Sequence, residues 1–138
     1  MYVEWSDSFS TGVDLFDGQH KKLFGIINDL HKGITSGKGR EALLPTLNEL
    51  ANYASYHFVA EEKALQECHY AKYDDHKRQH EGFKAEVLNY INDHMSGVRV
   101  MPLDILRFVT EWLKEHIAVS DKAYGPAINA FGAPEGQV

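Results

Sequence analysis

The chain has a single cysteine, Cys68, so it can form no internal disulfide and no cysteine-built zinc or iron–sulfur site. It has no basic run. Lysine and arginine total 14 against 20 aspartates and glutamates, for a net charge of −6. Phosphate affinity comes from clustered cations, so no nucleic-acid partner is expected and anionic membrane surfaces should bind poorly. No apolar stretch approaches the roughly 20 residues that span a bilayer. The opening, Met1 to Asp7, carries neither a basic nor an apolar signal region, so no signal peptide and a cytoplasmic location are expected. Strand alternation is nowhere sustained, and there is no repeat or low-complexity tract. What remains is 138 residues, 43% hydrophobic and 25% charged, the composition of one globular domain. One residue type is in excess: there are eight histidines.

Helical periodicity appears in four segments. The first runs from about Gly18 to Ser36, with Leu23, Ile27, Leu30 and Ile34 on one face and Gly37 and Gly39 beyond it as stops. The second, from about Glu41 to Gln66, places Pro45 in its first turn and carries the stripe Leu43, Leu47, Leu50, Ala54. The third, from about Asp74 to Met95, carries Phe83, Val87 and Tyr90. The fourth runs from about Pro102 to Tyr124 with Ile105, Val109 and Trp112, and Gly125-Pro126 is read as its stop. Residues 1–17 are expected to be an arm anchored by Tyr2, Trp5, Phe9 and Phe16, residues 18–124 the bundle, and residues 125–138 a loose tail. Four such helices with short links predict an all-α, antiparallel up-down-up-down four-helix bundle with an N-terminal arm.

The apolar stripes are interrupted in phase. Continuing the second stripe gives His57 and Glu61; running the third backward gives His80 and His76; the fourth leads to His116, and the first steps back to His20. Ionisable side chains thus occupy faces that should be buried, where an unpaired charge costs several kcal/mol. In an antiparallel bundle, the start of the first and third helices adjoins the end of the second and fourth. All these groups, with Asp121, therefore converge at one end of the core.

His57/Glu61 and His76/His80 are i, i+4 pairs, whose Cβ atoms lie about 5–6 Å apart on a helix face. Imidazole with carboxylate suits zinc, iron, copper or nickel. Five histidines and two carboxylates exceed a closed four-ligand zinc site and match two metals with bridging carboxylates and one open position. Asp121 is the awkward member. Five residues after His116, it is swung about 140° away on a regular helix. The helix is distorted there or Asp121 reaches in from the side. His31, His69 and His94 fall outside the cluster and read as structural or solvent-facing.

These motifs resemble the bacterial hemerythrins, a non-haem di-iron oxygen-binding family. The resemblance rests on Trp5…Gly12-Val13…Asp17-x-Gln19-His20-x-x-Leu23-Phe24, on Tyr56-His57-Phe58-x-x-Glu61-Glu62, on His76-x-x-x-His80, and on Trp112-Leu113-x-x-His116-Ile117-x-x-x-Asp121-x-x-Tyr124. It implies that His76, His80 and His116 bind one iron and His20 and His57 the iron with the open position. Glu61 and Asp121 would bridge the pair alongside a solvent-derived oxo or hydroxo group. Leu23, Phe58, Trp112, Leu113 and Ile117 would line an oxygen pocket. Two departures from the family, Lys63-Ala64-Leu65-Gln66 where methionine is frequent and Tyr70-Ala71 where Tyr-Pro is frequent, touch no ligand position.

The implied function is reversible dioxygen binding, held as hydroperoxide, for carriage, storage or delivery, and not catalysis. Five neutral imidazoles and two carboxylates disfavour the high-valent iron that splits O–O, whereas di-iron oxygenases use about four carboxylates. The alternatives are an enzyme acting on peroxide or nitric oxide, an oxygen or redox sensor, and an iron buffer. A monomer is expected, with an oxygen-consuming enzyme as the candidate protein partner.

Overall fold

The computed structural model describes residues 2–132. Its elements are a short 3-10 turn at Asp7–Phe9, then α1 (Asp14–Thr35), α2 (Gly39–Glu67), α3 (Tyr73–Met95) and α4 (Pro102–Trp112). A π-helical segment, Leu113–Asp121, continues α4 without a break into α5 (Lys122–Phe131). These last three form one rod, so the chain makes the expected four-rod bundle, and no strand occurs among the described residues.

The apolar stripes pack as their spacing requires. Leu23, Ile27 and Leu30 of α1 meet Leu43, Leu47 and Leu50 of α2, Phe83 and Val87 of α3, and Ile105 and Val109 of α4 in one continuous core. A second, smaller cluster of Val13, Phe16, Leu65, Tyr124 and Ile128 closes the opposite end. The polar groups therefore lie between two apolar bodies. This differs from the expectation that they sit at the end of the core, because at that end α1 begins already at Asp14 and the last rod runs on to Phe131.

The boundaries explain the extension. α1 starts at Asp14, so the arm is shorter than residues 1–17. Asp17 anchors the approach by accepting from the Thr11 amide at 2.8 Å, the Thr11 hydroxyl at 2.8 Å and the Ser10 hydroxyl at 2.6 Å. Acidic groups in the first turn also suit the positive end of the helix dipole. α2 starts at Gly39, which puts Pro45 in the second turn instead of the first. Its missing N–H deprives the exposed Glu41 carbonyl of an intrahelical donor, a group water can serve.

Gly125-Pro126 does not stop the last rod, which runs on to Phe131. Residues 125–131 are thus helix, not tail, and residues 133–138 of the expected tail lie outside the described residues. Gly125 has a tertiary reason for being there. A Cβ at that position would collide with the Thr11 carbonyl oxygen, so only glycine lets the arm lie flat on the rod. Asn129 fixes the arm by donating to the Gly12 carbonyl at 2.9 Å. Further along, Trp5 and Phe9 pack on Phe24, Tyr2 stacks on His31 at 4.5 Å, and Val3 exchanges two hydrogen bonds with Asn28.

Candidate metal centre

All seven predicted ligands, His20, His57, Glu61, His76, His80, His116 and Asp121, are buried and meet between the two apolar clusters. α1 supplies His20, α2 supplies His57 and Glu61, α3 supplies His76 and His80, and the π-helical segment supplies His116 and Asp121. The geometric difficulty with Asp121 is resolved by that segment. An i→i+5 hydrogen-bonded turn carries one more residue than an α-turn, so residues five apart come onto one face.

Each carboxylate divides its oxygens between two sets of imidazoles. Glu61 Oε1 lies 2.9 Å from the Nε2 atoms of both His76 and His80. Its Oε2 lies 3.0 Å from His57 Nε2 and 3.3 Å from His20 Nε2. Asp121 Oδ1 lies 2.8 Å from His76 Nε2 and 2.9 Å from His116 Nε2, while its Oδ2 lies 2.9 Å from His20 Nε2. The residues fall into two potential ion-binding groups that share both carboxylates: Glu61, His76, His80, His116, Asp121, and His20, His57, Glu61, Asp121.

These contacts fit metal ligation better than hydrogen bonding. The Nε2 atoms of His80 and His116 approach carboxylate oxygens to 2.9 Å yet make no aligned hydrogen bond, and neither Asp121 oxygen has a donor. His20 and His57 turn their Nε2 atoms toward each other at 3.1 Å. Such atoms converge on shared points instead of pairing off. Nitrogen and oxygen donors about 2.1 Å from an ion at right angles stand about 3 Å apart, the spacing found here.

The outer ring nitrogens are held. His57 Nδ1–H donates to Gln19 Oε1 at 2.5 Å, His116 Nδ1–H to Gln79 Oε1 at 2.6 Å, and His80 Nδ1–H to Glu62 at 2.8 Å. A proton fixed on Nδ1 leaves Nε2 as a lone pair aimed inward. Rings stack on the same ligands: Phe58 on His80 at 3.9 Å, Trp112 on His116 at 3.9 Å, Tyr53 on His57 at 4.9 Å. From the smaller cluster, Tyr124 donates its hydroxyl to Glu61 Oε2 at 2.7 Å. Gln19, Glu62 and Tyr124 stood in the sequence motifs without an assigned part in the site, and Gln79 and Tyr53 were not singled out at all. Gln19, Glu62 and Gln79 directly adjoin a ligand in the chain, and that adjacency was the available signal.

Burial alone would depress every imidazole here. In His57 and His116 it prevails and their affinity for a proton falls. Burial lowers His20 and His76 too, but close contact with the carboxylates of Asp121 and Glu61 and their negative charge outweigh it and raise the pKa to about 9. Burial pushes Glu61 up, but the surrounding imidazoles, His57 foremost, hold it well below the usual carboxylate range. Burial and the charge of Glu61 push Asp121 up, and His116 and His20 outweigh them, so it too stays ionised. Burial, then the two carboxylates, keeps the Tyr124 phenol protonated. A cation bound among these nitrogens would compete with protons for them.

A four-rod bundle with two carboxylate-linked, histidine-rich ligand groups at its centre is the class of dinuclear metal proteins built inside helical bundles. The family described as Hemerythrin HHE cation binding domain matches residues 11–128. Bacteriohemerythrin of Methylococcus capsulatus is 34% identical, covering 88% of this chain and 92% of its own. Bacteriohemerythrin of Clostridium acetobutylicum is 34% identical, covering 90% and 98%. A crystal structure of wild-type hemerythrin superposes with a TM-score of 0.84 at 32% identity, covering 93% of this chain and 98% of that one. The chain belongs to the hemerythrin family, whose members bind oxygen at a di-iron centre.

Proposed function

We propose that this protein binds dioxygen reversibly and does not turn it over. The observation that supports this reading best is the unequal division of the imidazoles. One set of carboxylate oxygens faces His76, His80 and His116, while the other faces only His20 and His57. In this assignment the first three histidines would hold one iron and the other two its neighbour, with Glu61 and Asp121 shared between them and the gas bound on the side with fewer imidazoles. The iron pair would supply a reversible two-electron reduction of the gas.

The chain's own residues set how that chemistry ends. Leu23, Phe58, Leu113 and Ile117 are buried in the main core and Trp112 is half-buried against it, and we assign these five as the lining of the gas chamber. An apolar lining excludes the water and protons that would carry off reduced oxygen. Neutral imidazoles outnumber carboxylates, so little anionic charge is present to support higher oxidation of the metal. Glu61, held ionised, and Tyr124, held protonated, keep a hydrogen bond on the carboxylate that both irons would share.

No helix among the described residues is long and apolar enough to cross a membrane. Our reading is a cytoplasmic monomer that carries or stores the gas or delivers it to an oxygen-consuming enzyme. The test is an oxygen titration of the reduced, iron-loaded protein. Two irons per chain and a visible band that appears with oxygen and reverts under vacuum are expected. Irreversible oxidation in every cycle, or sustained turnover of peroxide or nitric oxide, would overturn the reading.

A further inference from the structure

The rods are not equally close. α1 packs along α2, α2 along α3, and α1 along α4, whereas α3 and the last rod stand further apart and, away from the metal centre, meet through rings: Phe83 with Phe108 at 5.2 Å and Phe83 with Trp112 at 4.8 Å. The seam opens outward as a groove of about 480 Å³. Its floor includes Phe83, Phe108 and Trp112, and its rim carries Glu111 and Glu115. Its lining contains two carboxylates and no lysine or arginine.

Trp112 joins this groove to the centre. It is half-buried, and its indole lies on the His116 imidazole with ring centroids 3.9 Å apart and planes 15° from parallel. His116 in turn is held through its outer nitrogen by Gln79, another residue of the groove wall. The two other stacks differ. Phe58 on His80 is buried inside the core, and Tyr53 on His57 is 1% exposed beneath a surface hollow that also carries Lys22. Among the rings stacked on the proposed ligands, only Trp112 combines an accessible edge, van der Waals contact with an imidazole, and a rim of one charge sign.

We propose that the α3–α4 groove is where electrons enter, from a redox protein that presents a planar one-electron carrier ringed by basic residues. Trp112 and His116 are the contact path from groove to iron. An iron pair that loses its oxygen in reduced form is left oxidised and must be reduced before it binds again. Each donor gives up one electron, two donors return a diferric pair to the diferrous state, and no atom or proton crosses the groove. Flat apolar rings match the carrier's face, and Glu111 and Glu115 match the basic rim while disfavouring anionic donors. The need for a donor rests on the oxygen-binding reading above, whereas the groove and its contact path rest only on the iron pair.

Methyl viologen is the probe, being a flat aromatic dication whose radical form is a one-electron donor. Titrated in its oxidised form against the iron-loaded, oxidised protein, it is expected to form an indole charge-transfer band. The double variant Glu111→Gln/Glu115→Gln should weaken that complex by about fivefold to tenfold at low salt, with the difference erased at high salt. Trp112→Phe should abolish the band. Reduction of the oxidised protein by the viologen radical, followed by loss of the ferric absorbance, should slow by the same factor in the double variant. Reduction by the anionic ferrous–EDTA complex should not slow. Iron content of the double variant should equal that of the parent, which separates this test from failure of the metal site. An unchanged complex in the double variant overturns the proposal, and so does a weakened complex with an unchanged reduction rate.

Discussion

α2 and the last rod each deliver one imidazole and one carboxylate to the centre, four residues apart in α2 (His57, Glu61) and five apart in the other (His116, Asp121). The first spacing needs nothing beyond regular α-geometry. The second works only because the rod widens into a π-helix over Leu113–Asp121. Both imidazoles are then treated alike: a glutamine oxygen takes the outer N–H, Gln19 for His57 and Gln79 for His116, and an aromatic ring stacks on the face. The same ligand pair can thus be presented by two backbones, and the site is defined by where its donor atoms end, not by the periodicity that carries them.

The largest expected effect separates the two carboxylates. Glu61 reaches four imidazoles and Tyr124, while Asp121 reaches three imidazoles. Glu61→Gln should therefore lose both irons on dialysis, and Asp121→Asn should retain one, weakly held. Iron per chain measures this, and equal losses would break the distinction.

A smaller effect tests whether the two imidazoles are supported equally. Gln19→Ala and Gln79→Ala should each weaken metal binding by about 10- to 100-fold, the usual consequence of removing a hydrogen bond behind a ligating histidine. Competition with a chelator gives both affinities. A loss confined to one variant would show that one rod holds its ligand by packing alone.

The smallest effect is expected from removing the extra residue. Val119 lies within the π-helical segment and is 64% exposed. Its deletion would leave His116 and the aspartate four apart, as in α2, on a regular helix. Iron stoichiometry should be unchanged and the melting temperature equal or higher. Loss of iron would mean that the widened turn places something besides Asp121.

Much of this was legible before any coordinates. The inward phase of His20, His57, Glu61, His76, His80 and His116 continues the apolar stripes, and periodicity survives folding because burial of one face is what holds each helix in place. The widened turn was visible only as a misfit, the five-residue step to Asp121. Nothing local in Leu113–Asp121 specifies it; the centre has to exist before the distortion has a reason. Gly125-Pro126 misled for the opposite cause, since a strong local stop signal was overridden by the Thr11 carbonyl docking on Gly125 and by burial of Tyr124 and Ile128.

The sequence by itself determined the four helices, the faces they bury and six of the seven inward ligands, because each depends on spacing within one helix. Only the tertiary structure decided the division of the carboxylate oxygens between three imidazoles and two, the capping cluster beyond the centre, and the open seam that exposes Trp112. Those features depend on how far apart the rods settle and where their ends meet, and that distance is set by contacts among residues that no single helix contains.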